Sequence, residues 1–265
     1  MRALVATPWR VAYALYAAAT FLVLGFAALF ATLILPGVYR RRAAARATAR
    51  AFLWLAGMPL TVRGIERLAP GQCVVVSNHA SYLDGLVFTA ALPARFSFVI
   101  KREMSAVPLA GLFLRRIGSE FVERFDRHRG AADARRVLRN AASGHSLVFF
   151  PEGTFTRTPG LLKFHTGAFV TAARAGCPVI PAVVRGTRAA LSPTGALPRP
   201  GRIEVEILPP IHALPQGEEA SAAGLRDLAR QAILQALAEP DLTCSGDSAL
   251  PPHKEPARSA RESRS

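Results

Sequence analysis

The stretch that decides the fold is a short apolar run that passes directly into polar residues: positions 73–84 read CVVVSNHASYLD. A run of valines bounded by polar residues is typical of a buried β-strand. The polar part places the imidazole of His79 and the carboxylate of Asp84 just beyond the carboxyl end of this strand. In open α/β sheets, that edge is where ligands bind. The stretch therefore predicts an α/β sheet with a functional site at this edge.

The spacing of His79 and Asp84 limits how they can meet. They are five residues apart, and a continuous helix, at about 100° per residue, would leave them about 140° apart around its axis. A helix that begins at Ser81 avoids this separation, and Asp84 could then accept a hydrogen bond from the imidazole and make it a general base. A capping box formed by Ser81 and Asp84 accounts for the same residues without any chemistry. The residues alone leave both interpretations open.

A second polar cluster follows another short apolar run, where positions 150–157 read FPEGTFTR. Glu152 supplies a carboxylate, while Gly153 and Thr154 supply a flexible turn with backbone donors. Lys163 lies a few residues downstream, before a predicted helix. A turn with a solvated glutamate is the alternative interpretation of the same residues.

A third stretch, GSEFVER at positions 118–124, alternates as a short strand does and could direct Arg124 to the same edge. The planar guanidinium of an arginine suits phosphate. After position 62, short apolar runs alternate with helical patterns, which predicts an α/β domain over residues 63–239, with a mixed, mostly parallel sheet flanked by helices. The predicted strands are 73–77, 96–100, 120–124, 146–150, 179–184 and 203–208. The predicted helices are 83–91, 109–117, 131–142, 168–175 and 220–238.

The N-terminal segment, residues 1–62, is predicted to be a membrane anchor. Positions 11–35 contain no charged residue, and about 20 apolar residues suffice to cross a bilayer as a helix. The run is longer than the apolar part of a signal peptide. Five arginines follow it and two precede it, so the positive-inside rule predicts a single-pass protein of the cell membrane with its catalytic domain in the cytoplasm. Positions 51–60 fit an interfacial helix or a core helix equally well.

The composition excludes several classes of protein. The chain has 265 residues, of which 51% are hydrophobic, and a net charge of +15. Such a composition excludes a largely disordered chain, although residues 240–265 are predicted to form a disordered tail. Three dispersed cysteines exclude a disulfide scaffold or a zinc knuckle, and no metal site is expected. The charge favours anionic membrane lipids; a nucleic-acid partner, which rests on the charge alone, is not expected.

Four groups of residues, taken in order, resemble the four blocks of the 1-acyl-glycerol-3-phosphate acyltransferase family. The resemblance extends over about residues 62–208. The groups are Asn78 and His79 with Asp84; Gly118, Phe121 and Arg124; positions 150–154, FPEGT; and Val179, Ile180 and Pro181.

This resemblance implies an enzyme that transfers a fatty acyl group from an acyl thioester, either acyl-CoA or acyl carrier protein, to the free hydroxyl of a lysolipid. The expected acceptor is 1-acyl-glycerol-3-phosphate, which would give phosphatidic acid, and no cofactor is expected beyond the thioester co-substrate. His79 would be the general base and Asp84 its orienting partner. The implied substrate-binding residues are Asn78, Arg124, Glu152, Gly153, Thr154, Arg157 and Lys163.

One position departs from the family. Its third block usually continues with arginine after the threonine, whereas Phe155 occupies that position here and Arg157 follows two residues later. Either Arg157 replaces the usual arginine, or the acceptor is another lysolipid, such as a lyso-aminolipid. A non-catalytic membrane lipid-binding protein is the remaining alternative. Acyl chain length and oligomeric state are not determined by these residues.

Overall fold

The computed structural model describes most of the chain outside the C-terminal tail. The described residues are 2–68, 70–123, 133, 136, 137, 139, 141, 144–192, 197–212 and 221–243. Arg124, which the sequence predicts to bind phosphate, and the tail from residue 244 onward lie outside the described residues.

The described residues form one seven-stranded sheet, and it confirms the predicted mixed, mostly parallel arrangement. The strands are Leu60–Arg63 (β1), Val74–Ser77 (β2), Phe96–Lys101 (β3), Glu120–Val122 (β4), Ser146–Phe149 (β5), Val179–Arg185 (β6) and Ile203–Ile207 (β7). Their order in the sheet is β1-β7-β6-β2-β5-β3-β4. Only β6 and β7 pair antiparallel; the other neighbours are parallel. Of these strands, β1 was not predicted.

Helices cover both faces of the sheet. They are Arg2–Ile34 (α1), Val38–Leu55 (α2), Asp84–Ala91 (α3), Ala110–Arg116 (α4), Gly167–Ala175 (α5), Thr187–Ala190 (α6) and Ala222–Leu237 (α7). Short 3-10 turns occupy Ile65–Arg67 and Arg102–Ala106. The described residues between 133 and 141 are helical. Helix α3 begins at Asp84, one residue after the start of the predicted helix 83–91. The earlier start at Ser81, considered for the contact between His79 and Asp84, is wrong because Ser81 and Tyr82 still belong to the turn that follows β2.

The central strand β2 is buried on both faces, as parallel strands covered by helices are. Successive side chains of a strand point to opposite faces, so Val75 packs in the core beneath α2 and α3, while Val74 and Val76 pack in the core beneath α5 and α7. A strand buried in this way fixes the position of the residues that follow it.

Helix α1 is long and apolar enough to cross a membrane over Pro8–Ile34, and it packs along α2. The Tyr13 hydroxyl donates to the backbone oxygen of Ala56 at 2.7 Å. Near the other end, Arg116 donates to the backbone oxygens of Thr32 and Leu33, both at 3.0 Å. Helix α1 is therefore bonded to the rest of the protein at its C-terminal end and at Tyr13, five residues after the start of its apolar span at Pro8. Its outward side chains are apolar: Trp9, Val11, Leu15, Tyr16, Phe21, Leu22, Val23, Phe26, Phe30, Leu33 and Ile34 are exposed.

Positions 51–60 belong to the core rather than to an isolated interfacial helix. Phe52, Leu53 and Met58 are buried in the core beneath α2 and α3. Trp54, in contrast, is 76% exposed. The segment thus begins as the last turns of α2, with one aromatic side chain directed to solvent.

One of the basic residues in α2 has a structural role. Arg42 is buried, and its guanidinium donates to the backbone oxygens of Ile117 at 2.7 Å, Arg95 at 3.2 Å and Gly118 at 3.2 Å. Gly118 has a φ of +70°, and a Cβ there would lie 3.0 Å from the guanidinium of Arg42. Arg42 therefore binds the protein, and not anionic lipid as the charge pattern suggested.

Candidate active site

The candidate site lies at the carboxyl edge of two neighbouring parallel strands, β2 and β5. His79 follows β2 and Glu152 follows β5, so the parallel pairing brings them together across the edge. The backbone N–H of His79 donates to Oε1 of Glu152 at 2.6 Å. The two polar clusters that the sequence separates by 73 residues therefore form one site.

His79 and Asp84 are in direct contact. Nδ1 of His79 lies 2.7 Å from Oδ2 of Asp84. The same oxygen accepts the backbone N–H groups of Ala80 at 2.6 Å and Ser81 at 2.9 Å. When the Asp84 carboxylate accepts this hydrogen bond, Nδ1 is the donor nitrogen of a neutral imidazole, and the lone pair is then on Nε2. Asp84 is completely buried, which fixes the ring against rotation.

The capping interpretation is met only in part, because α3 begins after Leu83 and no side chain caps it. Ser81 Oγ accepts the backbone N–H of Leu83 at 3.2 Å, and Asp84 returns a bond to the backbone N–H of Ser81. Only the second of these bonds belongs to a capping box, since the backbone N–H of Asp84 donates to the backbone oxygen of Ser81 at 3.2 Å and not to its hydroxyl. Ser81 Oγ also donates to the backbone oxygen of Leu191 at 2.7 Å, which ties the turn to the end of α6. One carboxylate thus holds the turn before α3 through two backbone N–H groups and contacts the imidazole of His79.

Asn78 is directed into the protein. Its side chain donates to the backbone oxygen of Val184 at 3.1 Å and accepts the backbone N–H of Val184 at 2.9 Å. These bonds continue the pairing of β2 with β6 by one more residue. They hold the backbone just before His79 in place.

Glu152 is buried, with 4% of its surface exposed. Its Oε1 accepts from His79, and its Oε2 accepts the backbone N–H of Leu162 at 2.8 Å. Burial raises the pKa of Glu152 from 4.5 to about 7, against the opposing effect of the two N–H donors and of Arg188. In this structure, both carboxylate oxygens accept hydrogen bonds from backbone N–H groups.

Aromatic rings surround the imidazole of His79. The Phe150 ring stacks on it at 4.5 Å between centroids, and the Phe155 ring meets it edge-on, also at 4.5 Å. Tyr82 extends this surface, with its ring 4.8 Å from that of Phe155, and its side chain is exposed. The departure at Phe155 marked a position of interest in the sequence, but neither its contact with His79 nor that of Phe150 was predicted.

The other predicted residues lie around the turn after β5. Gly153 has a φ of +73°, a conformation that glycine adopts readily, and Thr154, Arg157 and Lys163 are exposed. Arg188 was not predicted. Its guanidinium donates to the backbone oxygens of Thr156 and Thr158 and to Glu239, so it holds the loop after this turn.

Among the residues that the structure describes, no group of three or more histidine, cysteine, aspartate and glutamate side chains is arranged to hold a metal ion.

Residues 59–185 match the family model Acyltransferase. The chain is 34% identical over 165 residues to the 1-acyl-sn-glycerol-3-phosphate acyltransferase alpha of Mus musculus. The aligned region covers 60% of this chain and 56% of that protein. It is 39% identical over 119 residues to a lysophospholipid acyltransferase of Arabidopsis thaliana, covering 42% of this chain and 28% of that protein. The matched region spans 44% to 64% of the length of the first three curated relatives.

The fold is similar to the crystal structure of the 1-acyl-sn-glycerophosphate acyltransferase from Thermotoga maritima. The TM-score is 0.69 at 20% sequence identity, and the similarity covers 90% of this chain and 98% of that one. It therefore includes elements outside residues 59–185, and at this identity it concerns the fold alone.

Proposed function

The chain belongs to the acyltransferase family, and from this premise we propose that it transfers a fatty acyl group from an acyl thioester to the free hydroxyl of a lysolipid. The observation that carries the proposal is the contact of 2.7 Å between His79 Nδ1 and Asp84 Oδ2. It leaves the lone pair of Nε2 for a substrate proton, in a ring that Asp84 and two aromatic side chains hold in place.

In the proposed mechanism, His79 acts as the general base. Nε2 removes the proton of the lysolipid hydroxyl as its oxygen attacks the thioester carbonyl carbon. Asp84 stabilises the imidazolium that forms. A backbone donor of the turn at Gly153 and Thr154 stabilises the oxyanion of the tetrahedral intermediate. The new C–O bond remains when the C–S bond breaks, and the thiolate of coenzyme A or acyl carrier protein takes the proton from His79.

The buried carboxylate of Glu152 supports this mechanism by holding the backbone of His79. The sequence predicted Glu152 among the groups that position the acceptor. With its two oxygens occupied by backbone N–H groups, we propose that Glu152 acts on the acceptor through the loop it holds. We propose that Arg157 and Lys163 bind the acceptor phosphate, together with Arg124, which lies outside the described residues.

We propose 1-acyl-glycerol-3-phosphate as the acceptor, in agreement with the printed names of the relatives. A second candidate is another lysophospholipid or a lyso-aminolipid, and Phe155 favours it because an aromatic ring occupies the wall beside His79. A purified-protein assay decides between them. Two donors, acyl-CoA and acylated acyl carrier protein, are each tested with three acceptors: 1-acyl-glycerol-3-phosphate, lysophosphatidylethanolamine and a lyso-aminolipid. If none of these acceptors is acylated, the proposed function is refuted.

We propose that α1 attaches the protein to the cytoplasmic face of the cell membrane. The apolar outward side chains of α1 support membrane contact. A helix that crossed the bilayer would carry most of its length away from the domain, yet α1 is bonded to the domain both at Tyr13 and, through Arg116, at its C-terminal end. These contacts favour a helix lying in one leaflet over the predicted single-pass topology. The exposed Arg50 at the far end of α2 suits anionic lipid headgroups.

A further inference from the structure

The chain after α7 packs against the loop of the candidate site. We call Glu239–Thr243 the C-terminal strap; the sequence placed most of it in the tail. The backbone N–H of Leu161 donates to the backbone oxygen of Pro240 at 2.9 Å, and that of Leu242 donates to Leu161 at 3.1 Å. Asp241 and Leu161 form a parallel β-bridge. The strap is thus bonded to the loop as an added strand would be.

The close approach of strap and loop depends on a glycine. Gly160 has a φ of +144°, and a Cβ at this position would lie 2.5 Å from the Leu242 side chain. The backbone N–H of Gly160 donates to Glu239 Oε2 at 2.7 Å, and Arg188 donates to the same oxygen at 3.3 Å. A larger residue at position 160 would separate the strap from the loop.

Arg230 joins three parts of the protein. It projects from α7, which packs on the sheet through buried Ala229 and Ile233. Its guanidinium donates to both carboxylate oxygens of Asp241, at 2.9 and 2.6 Å. It also donates to the backbone oxygens of Leu161 and Leu162, both at 3.1 Å. One side chain thus fixes the strap and the loop to a helix that the core holds rigid.

The Leu162 peptide extends this connection to the candidate base. Its carbonyl accepts from Arg230, and its N–H donates to Glu152 Oε2 at 2.8 Å. The other oxygen of Glu152 accepts the backbone N–H of His79 at 2.6 Å. A continuous series of hydrogen bonds therefore runs from Asp241 through Arg230, Leu162 and Glu152 to His79.

From this geometry we propose that Arg230 and Asp241 are positioning residues of the active site, which act on His79 through Leu162 and Glu152. The inference rests on the proposed function. Both residues follow position 185, where the match to the family model ends. The Arg230 guanidinium and the Thr243 hydroxyl hold the pKa of Asp241 well below its usual range, so the pair is charged throughout the pH range of an assay.

The test compares Arg230→Met and Asp241→Asn with Arg226→Met in the full chain. Arg226 is a matched control, because it lies on the same helix and binds Asp227 on the surface. We expect Arg230→Met and Asp241→Asn to lower kcat at least about tenfold, with the KM values for thioester and lysolipid changed less than about threefold, since displacement of a catalytic group slows chemistry more than binding. Arg230→Lys should recover part of the loss, and Arg226→Met should behave as the wild type.

A second readout does not depend on turnover. Histidine-selective NMR, with the His79 signal assigned through His79→Gln, follows the imidazole in each variant. We expect a shifted His79 signal in Arg230→Met and Asp241→Asn but not in Arg226→Met. Folded variants with unchanged kcat and an unchanged His79 signal would overturn the inference. If Arg230→Met fails to fold, Asp241→Asn, which exchanges one oxygen for an amide nitrogen, decides alone. A wild type without turnover would refute the proposed function, and the NMR comparison would still test the positioning.

Discussion

Oε1 of Glu152 lies 2.6 Å from the backbone nitrogen of His79, so a buried carboxylate holds the candidate base in place. Burial raises the pKa of Glu152 to about 7, above its ordinary value of 4.5. Between these two pH values, the folded protein keeps a proton on Glu152 that the unfolded chain has released. The stability contributed by this proton is fully present below pH 4.5 and is lost as the pH rises through 7.

Glu152→Gln removes this titration. We expect the stability of the wild type relative to the variant to fall by about 3 kcal/mol between pH 4.5 and 8, as a shift of this size implies. The measurement is urea unfolding of both proteins in detergent at several pH values, with the exposed Glu66→Gln as control. A difference between wild type and Glu152→Gln that is independent of pH would contradict the prediction.

Removal of the proposed base should abolish most of the activity. We expect His79→Ala to lower kcat/KM by about 10² to 10⁴, the usual contribution of a general base. Asp84→Asn should also lower it strongly, because the amide oxygen can still accept the three bonds that Oδ2 accepts, but the neutral amide lacks the negative charge that stabilises the imidazolium. The exposed His212→Ala is the control. The comparison is made at saturating thioester, and a His79→Ala variant that keeps half the wild-type activity would exclude this mechanism.

The parts of the site that the sequence predicted are those that local patterns encode. The apolar run before Asn78 indicated a buried strand, and the edge of the sheet followed from it. His79 and Asp84 lie in the same short stretch, so the requirement that they meet predicted a helix start between them. A start at Ser81 would leave His79 in the preceding turn and Asp84 in the first turn. The regular helix begins at Asp84 instead, and the two side chains still meet.

The parts that the sequence missed depend on contacts between distant residues. Arg188 and Glu239 are 51 residues apart, and Arg230 and Leu162 are 68 apart. Nothing in the composition around such arginines distinguishes a structural role from a solvated surface. Arg42 illustrates this limit, because its neighbours in an arginine-rich helix suggested lipid binding, while its partners lie on a different part of the chain.

Arg42 should therefore matter for stability. Arg42→Met would leave the backbone oxygens of Ile117 and Arg95 without this donor, while that of Gly118 still accepts from the Ser97 hydroxyl. We expect a loss of about 3 kcal/mol, since each buried unsatisfied group costs about 1 to 3 kcal/mol. Arg50→Met makes the same change of charge on the exposed side of α2, and we expect a change within about 0.5 kcal/mol. Thermal unfolding in detergent measures both. Equal effects of the two substitutions would mean that Arg42 affects stability only through its charge and not through its buried hydrogen bonds.

The orientation of α1 predicts how its two flanks react with a membrane-impermeant maleimide. Trp9→Cys and Tyr39→Cys are each made in a Cys244→Ser background, in which the remaining Cys73 and Cys177 are buried. In sealed inside-out vesicles, we expect both introduced cysteines to be labelled, because an α1 that lies in one leaflet keeps both flanks on the cytoplasmic side. The single-pass topology would be supported instead if position 39 is labelled in sealed vesicles while position 9 is labelled only after the vesicles are opened.

The Phe155 side chain should decide which headgroup the acceptor carries. Its ring lies beside the imidazole of His79 and against Tyr82, so it makes the surface next to the proposed base apolar. Phe155→Arg would place a cation at this wall. We expect the ratio of kcat/KM for 1-acyl-glycerol-3-phosphate to that for a lyso-aminolipid to rise at least about tenfold, because a charge-assisted hydrogen bond contributes about 1.5 to 3 kcal/mol. Phe155→Leu keeps the wall apolar and should leave the ratio near that of the wild type. A ratio that is unchanged in Phe155→Arg would mean that the headgroup binds elsewhere, and Arg157 or Lys163 would then be the positions to substitute.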